Sequence, residues 1–537
     1  MTSLSSSARS MAVGTVASRV TGFLRTAAIA AVLGVKGVGA AFNVANTTPN
    51  IVYELLLGGI LTSVLVPLLV RAAKEEGDRG EAYAQRLLSL VILGLAAASV
   101  LLVALAPALV DLYMHSAPAG ERRLAVTLSR FFLPQMLFYG AGAVMGAILN
   151  TRGRFGPPMW SPVLNNVVAI ATCLLFLLLP GSSPLTATSI TDAQVLVLGI
   201  GTTLGIVAQT VALVPALRSV GFRFQLRTDL RGSGLGAVGR LSKWVLLYVA
   251  ANQAAFLVIV RLSNDQSLNE AGRGYASYIN AFVLWQLPHA IVAVSVITAL
   301  LPRMSQAAVD GRFEDLREIL NRGLRLTVCI LVPASVAYLV LGRALATVVF
   351  GHLRTSVPEA QYIGTLLAVF AFGLVPFSAY QLQLRAFYAM QDTRTPTLIN
   401  LGVNVTVIVV GVALYAVLPP HLKVAGLVAG NSASFLAGLL LCSRVLSRRL
   451  GGLPGQLVVR TALRCLTASV VPGLLGAGAV ALLLHTFGDG QTGALLALLV
   501  GAGVIGGGYL LLARRLRINE IDEILEPLLA RLGRTAG

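Results

Sequence analysis

Apolar runs about twenty residues long, the length that crosses ~30 Å of hydrocarbon, recur from one end of this chain to the other. They fall near 10–33, 40–70, 86–110, 126–150, 159–180, 194–217, 241–262, 276–301, 324–349, 362–389, 397–418, 423–443, 461–485 and 492–513. A backbone in lipid must satisfy its own N–H and C=O groups, so each run predicts a helix. The fold class that follows is an all-α integral membrane protein with about fourteen transmembrane helices. A closed β-barrel would need alternating ten-residue segments, and these runs are continuous. Only 12% of residues are charged, against about 25% in a soluble domain.

Sidedness follows from lysine and arginine, which concentrate in cytoplasmic loops. With the N-terminus inside, Arg9, the even-numbered loops and the C-terminal tail hold most of the 41 basic residues, while the loops around 181–193 and 485–491 hold none. The prediction is N-in, C-in. The net charge of +19 then reflects topology and contact with anionic lipid. Nucleic acid is not an expected partner, because the charges are scattered over short loops without interleaved aromatics. The first apolar segment carries two arginines and no small-x-small cleavage site, so it reads as a helix and not as a removed leader. Cys173, Cys329, Cys442 and Cys465 fall inside spans at no metal-ligand spacing and read as small core residues.

The chain repeats itself. Ala147-Ile148-Leu149-Asn150-Thr151-Arg152-Gly153-Arg154-Phe155-Gly156-Pro157 closes span four, and Ala386-Phe387-Tyr388-Ala389-Met390-Gln391-Asp392-Thr393-Arg394-Thr395-Pro396 closes span ten, 239 residues later. Asn165 and Asn404 each follow the proline by eight residues, and Leu65-Val66-Pro67 is echoed by Leu300-Leu301-Pro302. Two six-helix lobes related by an axis along the membrane normal would give this pattern. The expected organisation is an N-lobe over 1–217, a basic linker over 218–243 and a C-lobe over 244–446. An additional helix pair over 447–514 and an amphipathic cytoplasmic tail over 515–537 complete it. The linker is expected to lie on anionic lipid, with Gly232-Ser233-Gly234 as a flexible point.

Span one holds the most unusual chemistry: Ser18-Arg19-Val20-Thr21-Gly22-Phe23-Leu24-Arg25. An arginine at membrane depth costs about 2.5 to 3.5 kcal/mol on insertion scales and faces a cavity as a rule. At 100° per residue Ser18, Arg19, Gly22, Arg25 and Thr26 share one stripe, opposite Val20, Phe23, Leu24 and Ala27. Two guanidinium forks in a polar cavity suit phosphate or carboxylate; the plainer reading is that Arg19 snorkels to the cytoplasmic headgroups. Glu54 in span two is placed to neutralise Arg19 or Arg25, or serves as a paired structural residue. Asn43, Asn46, Thr47 and Asn50 around Pro49 mark a polar, kinked stretch. Asn280, Trp285, Gln286 and His289 with Pro288 form its counterpart in span eight; hydrogen bonding between helices is the default explanation for such residues.

No enzyme signature emerges. Walker A, Gly-x-Gly-x-x-Gly, His-Glu-x-x-His and Gly-x-Ser-x-Gly patterns are missing, and the five histidines are dispersed. The expectation is a transporter without cofactor or catalytic residues, driven by the membrane potential, an ion gradient or the substrate gradient.

The quoted segment Ser18 to Arg25, with Ala41-Phe42-Asn43-Val44-Ala45, Pro49-Asn50, Gly146 to Asn150 and Phe387 to Pro396, resembles the MurJ/MviN family of lipid II flippases in the MOP/MATE-like exporter superfamily. The resemblance spans both lobes. It implies a bacterial inner-membrane flippase that moves undecaprenyl-diphosphate-linked muropeptide from the inner to the outer leaflet by alternating access. It further implies that Ser18, Arg19 and Arg25 line the cavity receiving the diphosphate. Other members follow the motif with an acidic residue, where Thr26 stands here, and carry further cavity arginines where this chain has Tyr53 and Val283. This departure resembles the actinobacterial branch, without its pseudokinase extension. The substrate-binding residues expected are Ser18, Arg19, Arg25, Glu54, Asn50, Asn280 and Gln286; the partners are lipid II, anionic membrane lipids and cell-wall synthesis proteins. Competing readings are a flippase for another polyprenyl-linked glycan, a MATE-like drug exporter, a cell-wall scaffold, or a membrane glycosyltransferase using a carboxylate among Asp111, Asp192, Asp265, Glu270 and Asp489.

Overall fold

The computed structural model describes residues 2–53, 69, 80–227, 235–453 and 455–521, and every regular element among them is helical. Thirteen stretches among the described residues are long and apolar enough to cross a membrane. The span expected at 40–70 is represented by its first half; Glu54, Gly58-Gly59 and Leu65-Val66-Pro67 lie outside the described residues, as do Gly232-Ser233-Gly234 and the tail beyond 521. The chain divides into two compact units, Met1–Ala276 and Ser277–Gly537.

The first unit contains α1 (Thr2–Leu33), α2 (Gly37–Tyr53), α3 (Glu81–Ala104), α4 (Ala106–Met114), α5 (Ala119–Phe132), α6 (Gln135–Thr151), α7 (Gly156–Leu178), α8 (Asp192–Val211), α9 (Val214–Ser219), α10 (Leu235–Ser263) and α11 (Gln266–Glu270). Span four is interrupted: α5 ends before Leu133-Pro134, because a proline cannot donate to the helical ladder and crowds the turn before it. The chain resumes as α6, with Phe132, Leu133 and Met136 buried at the junction.

The boundary falls within the first turn of α12 (Tyr275–Pro288), whose Tyr275 and Ala276 belong to the first unit; the second unit continues with a π-turn at His289–Ala293, α13 (Val294–Val309), α14 (Phe313–Phe350), α15 (Val357–Ala389), α16 (Arg394–Val417), α17 (Lys423–Arg449), α18 (Gly455–Phe487) and α19 (Gln491–Arg515). α14 and α15 cross backbone against backbone: a Cβ on Gly342 would lie 2.9 Å from the Gly364 carbonyl oxygen. The additional pair α18–α19 packs on α14, joining Val328, Cys329 and Val332 to Cys465, Ala468, Tyr509 and Ala513. Ile518 and Ile521, the first apolar residues of the expected membrane-resting tail, are buried in this same cluster. The four cysteines are free and buried. Outward faces remain apolar; Leu474, Leu475, Leu499 and Leu511 are each more than 60% exposed, a pattern that lipid stabilises and water does not.

Prolines inside spans leave carbonyls without a helical donor, and tyrosines from neighbouring helices supply it. Pro288 cannot donate to the Leu284 carbonyl four residues earlier; the Tyr338 hydroxyl of α14 does so at 2.6 Å. Pro333 deprives Cys329 in the same way, and the Tyr509 hydroxyl of α19 donates to that carbonyl, also at 2.6 Å. The kink expected at Pro288 thus takes the form of a π-turn whose freed carbonyl is satisfied from outside the helix.

The two copies of the repeated turn do corresponding work with opposite polarity. In the first unit Arg152 donates to the Val220 carbonyl at 2.8 Å and Arg154 to the Ser219 hydroxyl at 3.1 Å, clamping the cytoplasmic end of span six. In the second, Asp392 accepts from Arg449 at 2.5 Å and Arg449 also reaches Thr395 at 2.8 Å, clamping the end of span twelve. The linker departs from expectation at its start. Residues 222–227 run along α3, not over lipid alone: Glu81 accepts from the Arg223 amide at 3.3 Å and Gln85 donates to the Arg223 carbonyl at 2.7 Å. Ser89 then accepts from the Arg227 amide at 2.9 Å. Glu81, Gln85 and Ser89 stand four residues apart and so form one polar ridge on an apolar helix.

Candidate functional site

α1 presents two faces. Val13, Val16, Val20 and Leu24 are each about half exposed, as a lipid-facing side should be. Gly14, Ser18 and Gly22 lie on the opposite side against α7. A Cβ on Gly22 would sit 3.5 Å from the Asn166 amide nitrogen, and one on Gly14 would press on Trp160 at 3.0 Å. Asn166, buried on α7, donates to the Ser18 carbonyl at 3.2 Å and to the Thr21 hydroxyl at 3.0 Å. It thereby fixes the rotation of α1 and the direction in which the arginines point. The Thr21 and Thr26 hydroxyls turn back onto their own helix, to Ala17 at 2.7 Å and Gly22 at 3.1 Å.

This arrangement divides the expected polar stripe. Its Ser18–Gly22 centre is a helix contact, in which Ser18 contributes a carbonyl. Arg19, at the edge, is exposed. Arg25 is half-buried. Its Nε is buried without a hydrogen-bond partner. Neither arginine forms an ion pair with any described residue. A guanidinium is never neutral in a protein, so Arg25 keeps directed donor capacity that the described residues leave unused. Asn166 was not foreseen; its signal was a second amide beside the repeat residue Asn165 in an otherwise apolar stretch.

On α2, Asn43 and Asn50 are half-buried and donate to their own helix, at the Gly39 and Asn46 carbonyls 2.8 and 3.1 Å away. Thr47 meets the Tyr275 hydroxyl at 2.9 Å, so much of this polar stretch is already engaged. Tyr53 ends α2.

In the second unit Asn280 is buried and Gln286 half-buried on α12, with Val283 between them half-buried. Trp285 is fully enclosed by Phe370, Phe377 and Phe435, with centroids 5.0 to 5.5 Å away. His289 is held by Ser378 at 2.8 Å. Trp285 is thus enclosed by aromatic rings, although its indole N–H is buried without a hydrogen-bond partner, and His289 is engaged by Ser378; Asn280 and Gln286 are the further polar residues of this helix. No group of three or more potential metal ligands occurs among the described residues.

Three of the five carboxylates that a glycosyltransferase would draw on are engaged by neighbours. Asp111 pairs with Arg122 at 2.7 Å and lies beside His115. Hydrogen bonding from His115, with Arg122 adding to it, holds its carboxyl below the usual range, the wrong direction for a general acid. Asp265 caps α11, accepting from the Ser267 amide at 3.0 Å, and Glu270 is engaged by Gln266 at 2.8 Å.

Comparison with known proteins places this geometry in context. The family model described as "Lipid II flippase MurJ" matches residues 29–501. The lipid II flippase MurJ of Burkholderia cenocepacia is 29% identical over 72% of this chain and 74% of its own length. The probable lipid II flippase MurJ of Thermotoga maritima is 24% identical over 95% and 96%. Among solved structures, a lipid II flippase MurJ in an inward closed conformation matches with a TM-score of 0.72 at 19% identity, covering 94% of this chain and 99% of that one. An outward-facing multidrug resistance MATE transporter of the MOP superfamily matches at 0.60 and 14% identity, covering 84% and 96%. At these identities the structural matches speak for the fold. The arginine pair of α1 precedes the matched segment, so its role rests on the chemistry above. The family model, however, covers most of the length and both units, and the chain belongs to the MurJ family of lipid II flippases.

Proposed function

We infer that this protein is a lipid II flippase of the bacterial inner membrane, carrying undecaprenyl-diphosphate-linked peptidoglycan precursor from the inner to the outer leaflet by alternating access. It has no catalytic chemistry of its own. The diphosphate, sugars and peptide cannot cross hydrocarbon unaided, while the polyprenyl tail stays in lipid. The observation that supports the reading most directly is Arg25, a cation on a membrane-spanning helix with a buried donor that no described residue engages. With Arg19 it offers two forks for charge-assisted, bidentate contacts to diphosphate oxygens.

Ser18, Asn50 and Glu54 of the first unit, Glu54 lying outside the described residues, and Asn280 and Gln286 of the second are each proposed to contact the substrate. Release requires these contacts to weaken in the outward state, since equal affinity in both states shifts no equilibrium. An inside-negative potential favours return of a cationic empty cavity to the cytoplasmic side, which makes the potential or an ion gradient the proposed driving force.

The test is depletion of the protein followed by complementation with Arg19→Ala or Arg25→Ala, with leaflet-resolved measurement of the precursor. Each well-expressed variant should leave precursor in the inner leaflet. Normal outer-leaflet delivery by either one refutes the diphosphate role of that residue. Precursor exposed outside but unpolymerised after depletion would refute flipping itself.

A further inference from the structure

Where the cytoplasmic ends of α14, α18 and α19 meet, Arg325, Arg460, Arg464 and Arg517 line a small cavity of about 130 Å³. Thr461 and Glu520 also face it. Four arginines and one glutamate thus share the lining of this cavity. Glu520 pairs with Arg325 at 2.8 Å, and the side chains of Arg460, Arg464 and Arg517 form no ion pair or hydrogen bond with the described residues. Even Arg325 is incompletely used, since its Nε is buried without a partner. Like charges gathered this closely repel unless an anion sits among them.

Three features specify the anion. Ligand pockets for drug-sized molecules measure about 300 to 1,000 Å³, so this cavity admits a tetrahedral oxyanion and excludes a nucleotide. Arg460 and Arg464 stand one helical turn apart near the start of α18, and Arg517 follows α19 in a left-handed backbone conformation, φ 53°; all belong to the basic cytoplasmic side. Leu457 lines the cavity at 49% exposure, and beyond the cavity the exposed side of the same helix is apolar, with Val459 and Leu463 each 57% exposed. A soluble anion has no use for such a surface, whereas acyl chains do. We propose that this pocket is a binding site for the headgroup phosphate of an anionic phospholipid of the inner leaflet, its chains lying along α18. Basic pockets between helix ends at this depth recognise lipid phosphates in general. The site is distinct from the arginines of α1 and does not depend on the flipping reaction.

The experiment uses the purified full-length protein in a neutral detergent, titrated with phosphatidylglycerol or with phosphatidylcholine of the same chains, bound lipid being counted by native mass spectrometry. Phosphatidylglycerol should be retained preferentially, and R460A/R464A should weaken its retention about tenfold or more, at roughly 1 kcal/mol per arginine near a charged surface. R460K/R464K should keep most of it, R19A/R25A should keep all of it, and equimolar inorganic phosphate should not compete. R460A/R464A should elute and melt like the parent in the absence of added lipid. Unchanged phosphatidylglycerol retention in a folded R460A/R464A variant, or equal retention of phosphatidylcholine by the parent, overturns the proposal. Displacement by inorganic phosphate overturns it in favour of a free-anion site.

Discussion

Replacing Tyr338 by phenylalanine removes one hydroxyl and leaves the Leu284 carbonyl without a donor, because the residue four positions on is Pro288. Both Leu284 and Tyr338 are buried. An interhelical hydrogen bond in a membrane is worth ~0.6 kcal/mol on average, because the separated helices find other partners. That discount does not apply here: in the isolated helix Pro288 still cannot donate, so the carbonyl stays orphaned in the reference state as well. The expected cost of Tyr338→Phe therefore lies near the top of the membrane range, about 1.5 kcal/mol. Pro288→Ala restores the helical donor, so in that background Tyr338→Phe should cost less than about 0.5 kcal/mol. The double-mutant cycle isolates the coupling, read by denaturant unfolding in detergent. A Tyr338→Phe cost under about 0.3 kcal/mol, or one that is unchanged in the Pro288→Ala background, refutes the reasoning.

Three further outcomes are expected. Arg25→Lys should impair complementation of a depletion strain more than Arg19→Lys, since a half-buried fork is replaced by a point charge; equal, near-normal growth of both would contradict the placement of Arg25. Asn166→Ala should destabilise by about 1 to 2 kcal/mol through loss of its contacts to Ser18 and Thr21 and should lower transport, whereas Asn166→Ala with unchanged melting and flipping would show that it does not orient α1. At Asp392 burial pushes the carboxyl upward, but the hydrogen bonds from Thr395 and the Arg449 guanidinium outweigh this and hold it below 3.8. A depressed carboxyl contributes stability above its unfolded pKa and loses it as pH falls through the folded one. The stability gap between wild type and Asp392→Asn should then be full at neutral pH and close below about pH 3.8; a gap that widens in acid would exclude the clamp.

The linker shows how a signal present in the sequence can be misread. Glu81, Gln85 and Ser89 stand at helical spacing on a span that is otherwise apolar, yet lysines and arginines downstream suggested only a lipid surface. Backbone groups of residues 222–227 need partners, and that ridge supplies them. The polar stripe of α1 was legible as a stripe, but which part of it meets α7 depended on Asn166, 148 residues from Ser18.

By itself the sequence determined the membrane class, the sidedness, the doubled turns and the cation pair in span one. Hydropathy, helical hydrogen bonding and the cost of buried charge all act within a segment, so they can be read along it. The tertiary structure alone decided which donors reach the carbonyls freed by proline. Tyr338 serves a residue 54 positions away and Tyr509 one 180 away. It also decided that phenylalanines enclose Trp285, that Ser378 holds His289, and that Arg25 keeps an unused donor. These outcomes depend on which helix faces come together, and a side chain's fate in the membrane is set by the neighbour it meets there and not by its own segment.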